Sequence, residues 1–252
     1  NFSIGSSSQS PVLDAIELAF MNASLAGVFV AASAGNSGPG AATADHGSPW
    51  LTTVAAGTHD RTFQKSVTLG NGKTYTSRGY GAALPSTPLI DAATAALPGA
   101  NPVEARRCYS QRGDAPGAPP TLDPAKIAGK IVVCERGGNA RTDKGWAVKN
   151  AGGVGMIMYN PATNSVNADF QPVPTVHVDV ADGAAIKAYA NTAGATASMT
   201  ASVRTVAQAP VVAAFSSRGP SEPSQGDLLK PDILAPGVDV IAAVAPPGNH
   251  DN

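Results

Sequence analysis

Short, fully apolar runs set the strongest limit on how this chain can fold. Residues 28–32 form one such run, which is typical of a strand buried in a parallel sheet, and Thr-Thr-Val-Ala-Ala at residues 52–56 predicts a second strand. Before the first run, Ser10-Pro11 is a good helix start and Gly27 a good helix stop. Apolar residues recur at helical spacing between these signals, at Leu13, Ile16, Ala19, Phe20 and Ala23. The alternation of helix and strand predicts an α/β fold with a parallel sheet.

The charge of the chain and the lengths of its apolar stretches argue against two classes of partner. The 17 basic and 18 acidic side chains give a net charge of −1, whereas a nucleic-acid-binding domain normally carries a basic patch. No stretch reaches the roughly 18 apolar residues that a membrane-spanning helix needs. We therefore expect neither a nucleic-acid partner nor a membrane partner. The first residues, Asn1-Phe2-Ser3, lack the features of a signal peptide, and we expect a piece of a longer chain.

A second block of strands and helices follows an Asn-Gly hairpin at residues 67–75. The predicted elements are strands at residues 130–134, 154–159 and 174–178 and helices at residues 141–151 and 181–190. Because this small α+β block has its own apolar pattern, we expect it to form a separate domain.

The parallel-strand pattern returns late in the chain, at residues 211–215 and 238–242. We therefore predict one α/β domain that is interrupted by an insert. Residues 1–80 are its predicted first part, residues 81–208 the insert and residues 209–252 its continuation.

Cysteine usage favours a disulfide. Cys108 and Cys134 are the only two cysteines, so a zinc site with four cysteine ligands is excluded. A Cys108–Cys134 disulfide would fit a secreted protein. The alternative is a pair of buried free thiols, which the sequence leaves open.

The sharpest local motif places an asparagine in a glycine-rich loop directly after an apolar strand. Asn36 lies within Ala-Ala-Ser-Ala-Gly-Asn-Ser-Gly-Pro at residues 31–39. The small residues before it leave space for a ligand, and its amide can donate hydrogen bonds to a developing oxyanion. Taken alone, the motif favours a simple turn, because Asn-Ser-Gly-Pro is turn chemistry.

Four further segments accompany the Asn36 motif. They are Asn-Phe-Ser-Ile-Gly at residues 1–5, Pro-Trp-Leu-Thr-Thr-Val-Ala-Ala-Gly-Thr at 49–58, Phe-Ser-Ser-Arg-Gly-Pro at 215–220 and Leu-Lys-Pro-Asp-Ile-Leu-Ala-Pro-Gly-Val at 229–238. In this order, the five motifs resemble the subtilisin-like serine proteases, and most closely the large secreted branch with an inserted protease-associated domain. The insert is similar through residues 129–134 and 150–157. The resemblance implies part of a subtilisin-like parallel-sheet domain interrupted by a small α+β protease-associated domain.

The resemblance also implies roles for individual residues. Asn36 matches the asparagine of the oxyanion hole. The strand edge that pairs with the substrate backbone matches Ser3, Ile4 and Gly5. The opposite wall of the pocket for the side chain before the scissile bond matches Ser33, Ala34 and Gly35. The Ser48-Pro49 peptide bond is expected to be cis.

The catalytic triad of the family has no counterpart in this sequence. The family carries Asp, His and Ser in that order, and we expect the first two motifs before this segment and the Gly-Thr-Ser motif after it. Ser216 and Ser217 fall at a strand end that is structural in the family. Solvated or locally hydrogen-bonded rings are expected for all four histidines, His46, His59, His177 and His250.

We therefore expect a portion of a secreted subtilisin-like serine endopeptidase that hydrolyses protein or peptide substrates through an acyl-enzyme. The chain alone is expected to be inactive, because it lacks the triad. No cofactor and no metal are expected, because the sequence has neither a calcium loop nor zinc-ligand spacing. The alternative is a non-catalytic protein- or peptide-binding module built on the insert. Exposed sheet edges further predict self-association or a partner chain.

Overall fold

The computed structural model describes residues 1–6, 11, 13–110 and 120–241, which divide into two compact units. The first unit contains Asn1–Asp60 and Ala207–Val240, and the second is built on Arg61–Val206. The hairpin predicted in the first part of the chain lies in the second unit, because its strands pair with later strands there. The second compact unit begins at Arg61, and the predicted insert at residues 81–208 begins within it.

The first unit is built on a parallel sheet of three strands. These are β1 (Ala31–Ser33), β2 (Thr52–Gly57) and β11 (Ile233–Pro236), with β2 in the centre. Phe2 extends the sheet beyond β1 by a parallel bridge to Ala32. Its N–H donates to the Ala31 carbonyl at 2.8 Å, and its carbonyl accepts from the Ser33 N–H at 3.0 Å. The parallel pairing confirms the predicted α/β class.

Helix α1 (Ala15–Leu25) begins later than the sequence predicts. The Asp14 side chain caps it by accepting the Glu17 N–H at 2.8 Å, whereas the predicted start at Ser10 lies outside the described residues. The helix ends before Gly27, which has a φ of +84° and confirms the predicted stop.

The buried face of α1 differs from the predicted apolar stripe. Leu13 and Ile16 are 72% and 47% exposed, whereas Glu17 is fully buried. The apolar core of the first unit consists of Val30, Ala32 and Leu51, with Phe2, Phe20 and Ala23 packed against it.

Two strand predictions in the first unit are wrong. Residues 211–215 form only one isolated bridge, between Val212 and Gly57, because the chain turns at once and the Ser216 N–H donates to the Ala213 carbonyl at 3.0 Å. Among the described residues the last strand is β11, and residues 238–241 form no strand, while residue 242 lies outside the described part. The Asp232 side chain sets the start of β11 by accepting the Thr53 N–H at 2.6 Å.

The predicted cis bond before Pro49 is also wrong. The cis X-Pro bonds among the described residues precede Pro39, Pro210, Pro220 and Pro231.

The second unit is a closed ring of seven strands with one further strand at its side. In chain order the strands are β3 (Arg61–Leu69), β4 (Thr74–Tyr80), β5 (Leu84–Asp91), β6 (Ile131–Glu135), β7 (Gly155–Tyr159), β8 (Thr175–Val178), β9 (Thr196–Met199) and β10 (Val203–Val206). They pair in the order β10-β3-β4-β8-β7-β6-β5-β9, and pairing of β9 with β3 closes the ring. Strands β5 to β8 pair in parallel, and the other pairs are antiparallel.

The helices in the described part of the second unit are α2 (Pro102–Arg106), α3 (Pro124–Ile127), α4 (Arg141–Asn150) and α5 (Val180–Ala190). A 3-10 turn lies at Ala92–Ala95 in this unit, and another lies at Glu222–Ser224 in the first unit. Strands β6, β7 and β8 and helices α4 and α5 confirm the sequence predictions to within one residue at each end. Strands β6 and β7 are buried at every residue, because one core lies on each side of them. No helix in the described part is long and apolar enough to cross a membrane.

A disulfide joins Cys108 to Cys134, whose Cα atoms are 5.7 Å apart. Cys108 follows α2, and Cys134 lies on β6. Both cysteines are fully buried and belong to the core formed with α4. The free-thiol alternative therefore does not describe this structure.

Candidate functional site

The Asn36 loop leaves the end of β1 and is held on both sides of the asparagine. The Gly35 carbonyl accepts the Ser217 N–H at 3.0 Å, and the Ser217 hydroxyl accepts the Ser37 N–H at 2.9 Å. Gly35 has a φ of +93°, and a Cβ there would lie 3.0 Å from the Ser217 hydroxyl. Glycine is therefore required at this turn. Asn36 itself is exposed.

A second set of contacts fixes the far side of the loop. The Gly38 N–H donates to the Phe215 carbonyl at 3.0 Å. A Cβ on Gly38 would lie 2.0 Å from the Ser216 carbonyl oxygen, so only glycine fits. The Arg218 carbonyl accepts the N–H groups of Thr43 and Ala44, each at 2.8 Å. The segment from residue 215 to residue 218 thus supports the whole loop.

This support also explains why the two serines in the segment are structural. Ser216 and Ser217 are at most 1% exposed. The Ser216 hydroxyl accepts the Ala56 N–H at 3.0 Å, and the Ser217 hydroxyl accepts that of Ser37. Neither hydroxyl is presented to a substrate, so neither has the geometry of a nucleophile.

Two of the predicted substrate-binding residues meet in one cleft. Ser3 and Ser33 both line a cleft of about 190 Å³, which lies at the carboxyl ends of β1, β2 and β11. The other lining residues are Asn1, Ala32, Val54, Ala55, Ala56, Ala235, Pro236 and Gly237. The carboxyl ends of parallel strands are where open α/β sheets usually bind ligands.

The remaining predicted residues lie near this cleft without lining it. Ile4 is 68% exposed and continues the edge that begins at Ser3. A Cβ on Gly5 would lie 3.0 Å from the Asp45 carboxylate. Ala34 is 1% exposed, and its N–H donates to the Val54 carbonyl at 2.9 Å. Its backbone donor is therefore already used within the sheet.

A buried ionic cluster that the sequence analysis missed lies behind the residue 3–5 edge. His46 is 2% exposed and Glu17 is fully buried. The His46 Nδ1 lies 2.7 Å from the Glu17 Oε1, and its Nε2 lies 2.7 Å from the Ile4 carbonyl oxygen. Asp45 is also buried, and its Oδ2 accepts the Ser6 N–H at 2.5 Å. Two acidic side chains and one histidine thus meet beside the edge.

The surroundings of His46 favour its charged form. Burial lowers the pKa of His46, but the hydrogen bonds to Glu17 and to the Ile4 carbonyl, with the charge of Asp45, together raise it above 6.5. The only signal in the sequence is an acidic residue within an apolar helix, since the partner His46 follows 29 residues later. His59 has a different environment, in which its Nε2 lies 3.2 Å from the Asp239 carbonyl oxygen.

Two buried polar side chains of the second unit, those of Lys65 and His177, form hydrogen bonds with its backbone. Lys65 donates to the carbonyls of Gly81, Ala82 and Thr200. His177 is fully buried, and burial with the charge of Arg136 lowers its pKa to about 3, so the ring is neutral. Among the described residues, no group of three or more His, Cys, Asp or Glu side chains could hold a metal ion.

Comparison with known proteins connects both units to one family. The PA domain family matches residues 88–186, within the second unit. Subtilisin-like protease SBT1.7 of Arabidopsis thaliana is 40% identical over 252 residues, which cover 96% of this chain and 31% of the relative. Subtilisin-like protease SBT5.4 of the same plant is 38% identical, with the same coverage of both chains. The chain thus spans about a third of the length of these relatives.

Among solved structures, the psychrophilic subtilisin-like protease Apa1 from the Antarctic psychrotroph Pseudoalteromonas sp. AS-11 aligns with a TM-score of 0.37 and 18% identity. The alignment covers 82% of this chain and 53% of that chain.

Proposed function

We propose, because this chain belongs to the subtilisin-like proteases with a PA domain, that it is part of a secreted serine endopeptidase. The proposed activity is hydrolysis of peptide bonds in proteins or peptides through an acyl-enzyme. We assign the first unit to the catalytic domain and the second unit to the inserted PA domain. The observation that supports this function most is the exposed Asn36 side chain on a loop that is fixed on both sides.

Asn36 is proposed to donate a hydrogen bond to the oxyanion of the tetrahedral intermediate. Such a donor is effective when it needs no reorganisation during the reaction. The contacts of Gly35 and Ser37 with Ser217 hold the backbone on each side of Asn36. The close approach of Gly38 to the Ser216 carbonyl restrains the loop further. The amide is therefore presented from a preorganised backbone while its side chain stays free to meet a substrate.

The substrate is proposed to bind as an extended strand between two edges. One edge is Ser3, Ile4 and Gly5, and the other is Ser33, Ala34 and Gly35. The cleft shared by Ser3 and Ser33 supports this arrangement, as does the exposed side chain of Ile4. Backbone pairing of this type supplies affinity, and the cleft then accepts a substrate side chain.

The disulfide is the reason for proposing that the protein is secreted. Cys108 and Cys134 are fully buried and joined, and structural disulfides form and persist mainly in oxidising compartments.

The nucleophile, the base and the orienting acid are proposed to be supplied by other parts of the longer protease. The buried Ser216 and Ser217 already accept backbone N–H groups, and the buried His46 is paired with Glu17. None of them is available for a triad. The chain alone is therefore expected to be inactive.

A fluorophosphonate probe, which labels only activated serines, tests the proposal. The longer protease should become labelled and should cleave a denatured protein substrate, while the present chain should not be labelled. Absence of labelling and of cleavage in the longer protein would contradict the enzyme function. In that case binding of peptides to the second unit, measured by calorimetry, would support the binding-module alternative.

A further inference from the structure

The residue 3–5 edge is fastened to the buried ionic cluster of Glu17, Asp45 and His46. Phe2 precedes this edge and pairs with β1 through its backbone. Beyond Phe2, the edge is held by the Ile4 carbonyl, which lies 2.7 Å from the His46 Nε2, and by the Ser6 N–H, which donates to Asp45. The two contacts lie on either side of Gly5.

Asp45 of the cluster also reaches the opposite edge of the proposed cleft. The Asp45 N–H donates to the Ala34 carbonyl at 2.9 Å. A Cβ on Gly35 would lie 3.6 Å from the Asp45 Cβ. Asp45 is thus adjacent to both edges, and a change in its position or in that of the neighbouring His46 would alter the spacing between the edges.

Both ring nitrogens of His46 face acceptors, and this fixes its protonation state. A carboxylate oxygen and a carbonyl oxygen cannot donate, so two short contacts require an N–H on each nitrogen. Only the imidazolium provides both. The surroundings are also apolar, since the rings of Phe2 and Phe20 lie edge-on at 5.4 and 5.8 Å from the His46 ring. A charge pair in such surroundings interacts more strongly than it would in water.

We propose that His46, held by Glu17, is a positioning residue that fixes the Ile4 carbonyl and thereby keeps the residue 3–5 edge in its substrate-binding conformation. This inference rests on the proposed protease function. His46 does not touch the substrate. It acts through Ile4, and Glu17 acts through His46.

The arrangement predicts a pH dependence with a definite sign. When the imidazolium loses one proton, the remaining N–H stays with the stronger acceptor, the Glu17 carboxylate, so the Nε2 lone pair faces the Ile4 carbonyl oxygen. The charged groups facing His46 are Glu17 from α1 and Asp45 from its own loop. Both stabilise the cation, so the contact with Ile4 persists above pH 6.5 and is lost as the pH rises through the elevated pKa of His46.

The first test measures KM and kcat of the longer protease between pH 5 and pH 9 with a peptide substrate. The KM of the wild type should rise about tenfold through the His46 transition, as expected for loss of one charge-assisted hydrogen bond. Glu17→Gln should move this transition to lower pH, because it removes the charge that stabilises the imidazolium. His46→Leu should give the high KM at every pH, with kcat changed less than KM.

His59→Leu is the matched control, because it removes a histidine of the same unit whose Nε2 lies 3.2 Å from the Asp239 carbonyl oxygen. It should retain the wild-type KM transition. A difference between His46→Leu and wild type that is the same at every pH would overturn the proposal, since it would indicate a structural role alone. An unchanged transition in Glu17→Gln would also overturn it, and this result does not depend on whether His46→Leu folds.

A second test needs no cleavage and uses the present chain. NMR titration should show the Gly5 amide changing with the same pKa as the His46 ring, and Glu17→Gln should lower both pKa values together. A Gly5 amide that does not respond while His46 titrates would overturn the inference. If the longer protein cleaves no peptide but this coupling is present, the proposed function fails while the coupling stands.

Discussion

Removing the Cys108–Cys134 disulfide should weaken the second unit and leave the first unit unchanged. The bond closes a loop with a sequence separation of 26, for which the chain-entropy relation gives about 3.5 kcal/mol of stabilisation at 25 °C. The matching perturbation is the double variant Cys108→Ala/Cys134→Ala. Both side chains are fully buried in the core that contains α4, so the loss of packing adds to the loss of the cross-link.

The two tryptophans of the chain allow each unit to be followed separately. Trp50 lies in the first unit and Trp146 on α4 in the second. In a Trp50→Phe background, the urea midpoint reported by Trp146 should fall by more than about 1 M, given slopes of about 1–3 kcal/mol per M. In a Trp146→Phe background, the midpoint reported by Trp50 should not move.

Either of two results would contradict the disulfide prediction. The first is a Trp146 midpoint that is unchanged in the double variant. The second is an equal fall of both midpoints, which would mean that the units do not unfold independently.

Three further predictions concern single groups. Gly38→Ala should destabilise the first unit by about 2 kcal/mol or more, because its Cβ would overlap a carbonyl oxygen. The matched Gly40→Ala, whose nearest neighbour would lie at 3.8 Å, should stay within about 0.5 kcal/mol, and equal losses would contradict the argument. Lys65→Met should lower the free energy of unfolding reported by Trp146 by about 2–4 kcal/mol, because three carbonyls lose their donor; an unchanged free energy of unfolding would contradict this. The folded pKa of His46 is raised, so its contribution to stability is complete below pH 6.5 and is lost above the folded pKa. Glu17→Gln should weaken this dependence of the free energy of unfolding on pH, as measured by urea unfolding. If the variant retains the dependence, it belongs to another titratable group.

Strands that are buried on both faces were predictable from the sequence. Strands β6 and β7 carry continuous apolar runs because a core lies on each side of them, and such runs need no knowledge of the partner strand. The hairpin turn was predictable for a similar local reason, since Gly72 adopts a φ of +86° in the turn. Strand β9 was not predictable from the sequence, because its residues Thr-Ala-Ser-Met carry no strong apolar signal.

For the candidate site, the sequence allowed only the predictions that rest on a local motif or on the family resemblance. The Asn36 loop is a continuous motif, so its glycine-rich turn could be recognised from neighbouring residues alone. The pairing of Glu17 with His46 is different, because it joins a helix and a loop that are far apart in sequence. The apolar neighbours of Glu17 in the sequence suggested a stripe that excludes it. Long-range partners of a buried charge therefore could not be assigned before the fold was known.

Turnover in the longer protease measures whether Asn36 stabilises the oxyanion. Asn36→Ala should lower kcat by roughly 10²–10³, the range measured on subtilisin itself, a relative of this chain, with little change in KM. Asn22→Ala makes the same chemical change on the exposed side of α1 and should leave kcat unchanged. A kcat for Asn36→Ala equal to that of Asn22→Ala would contradict the assignment of this loop as the oxyanion donor.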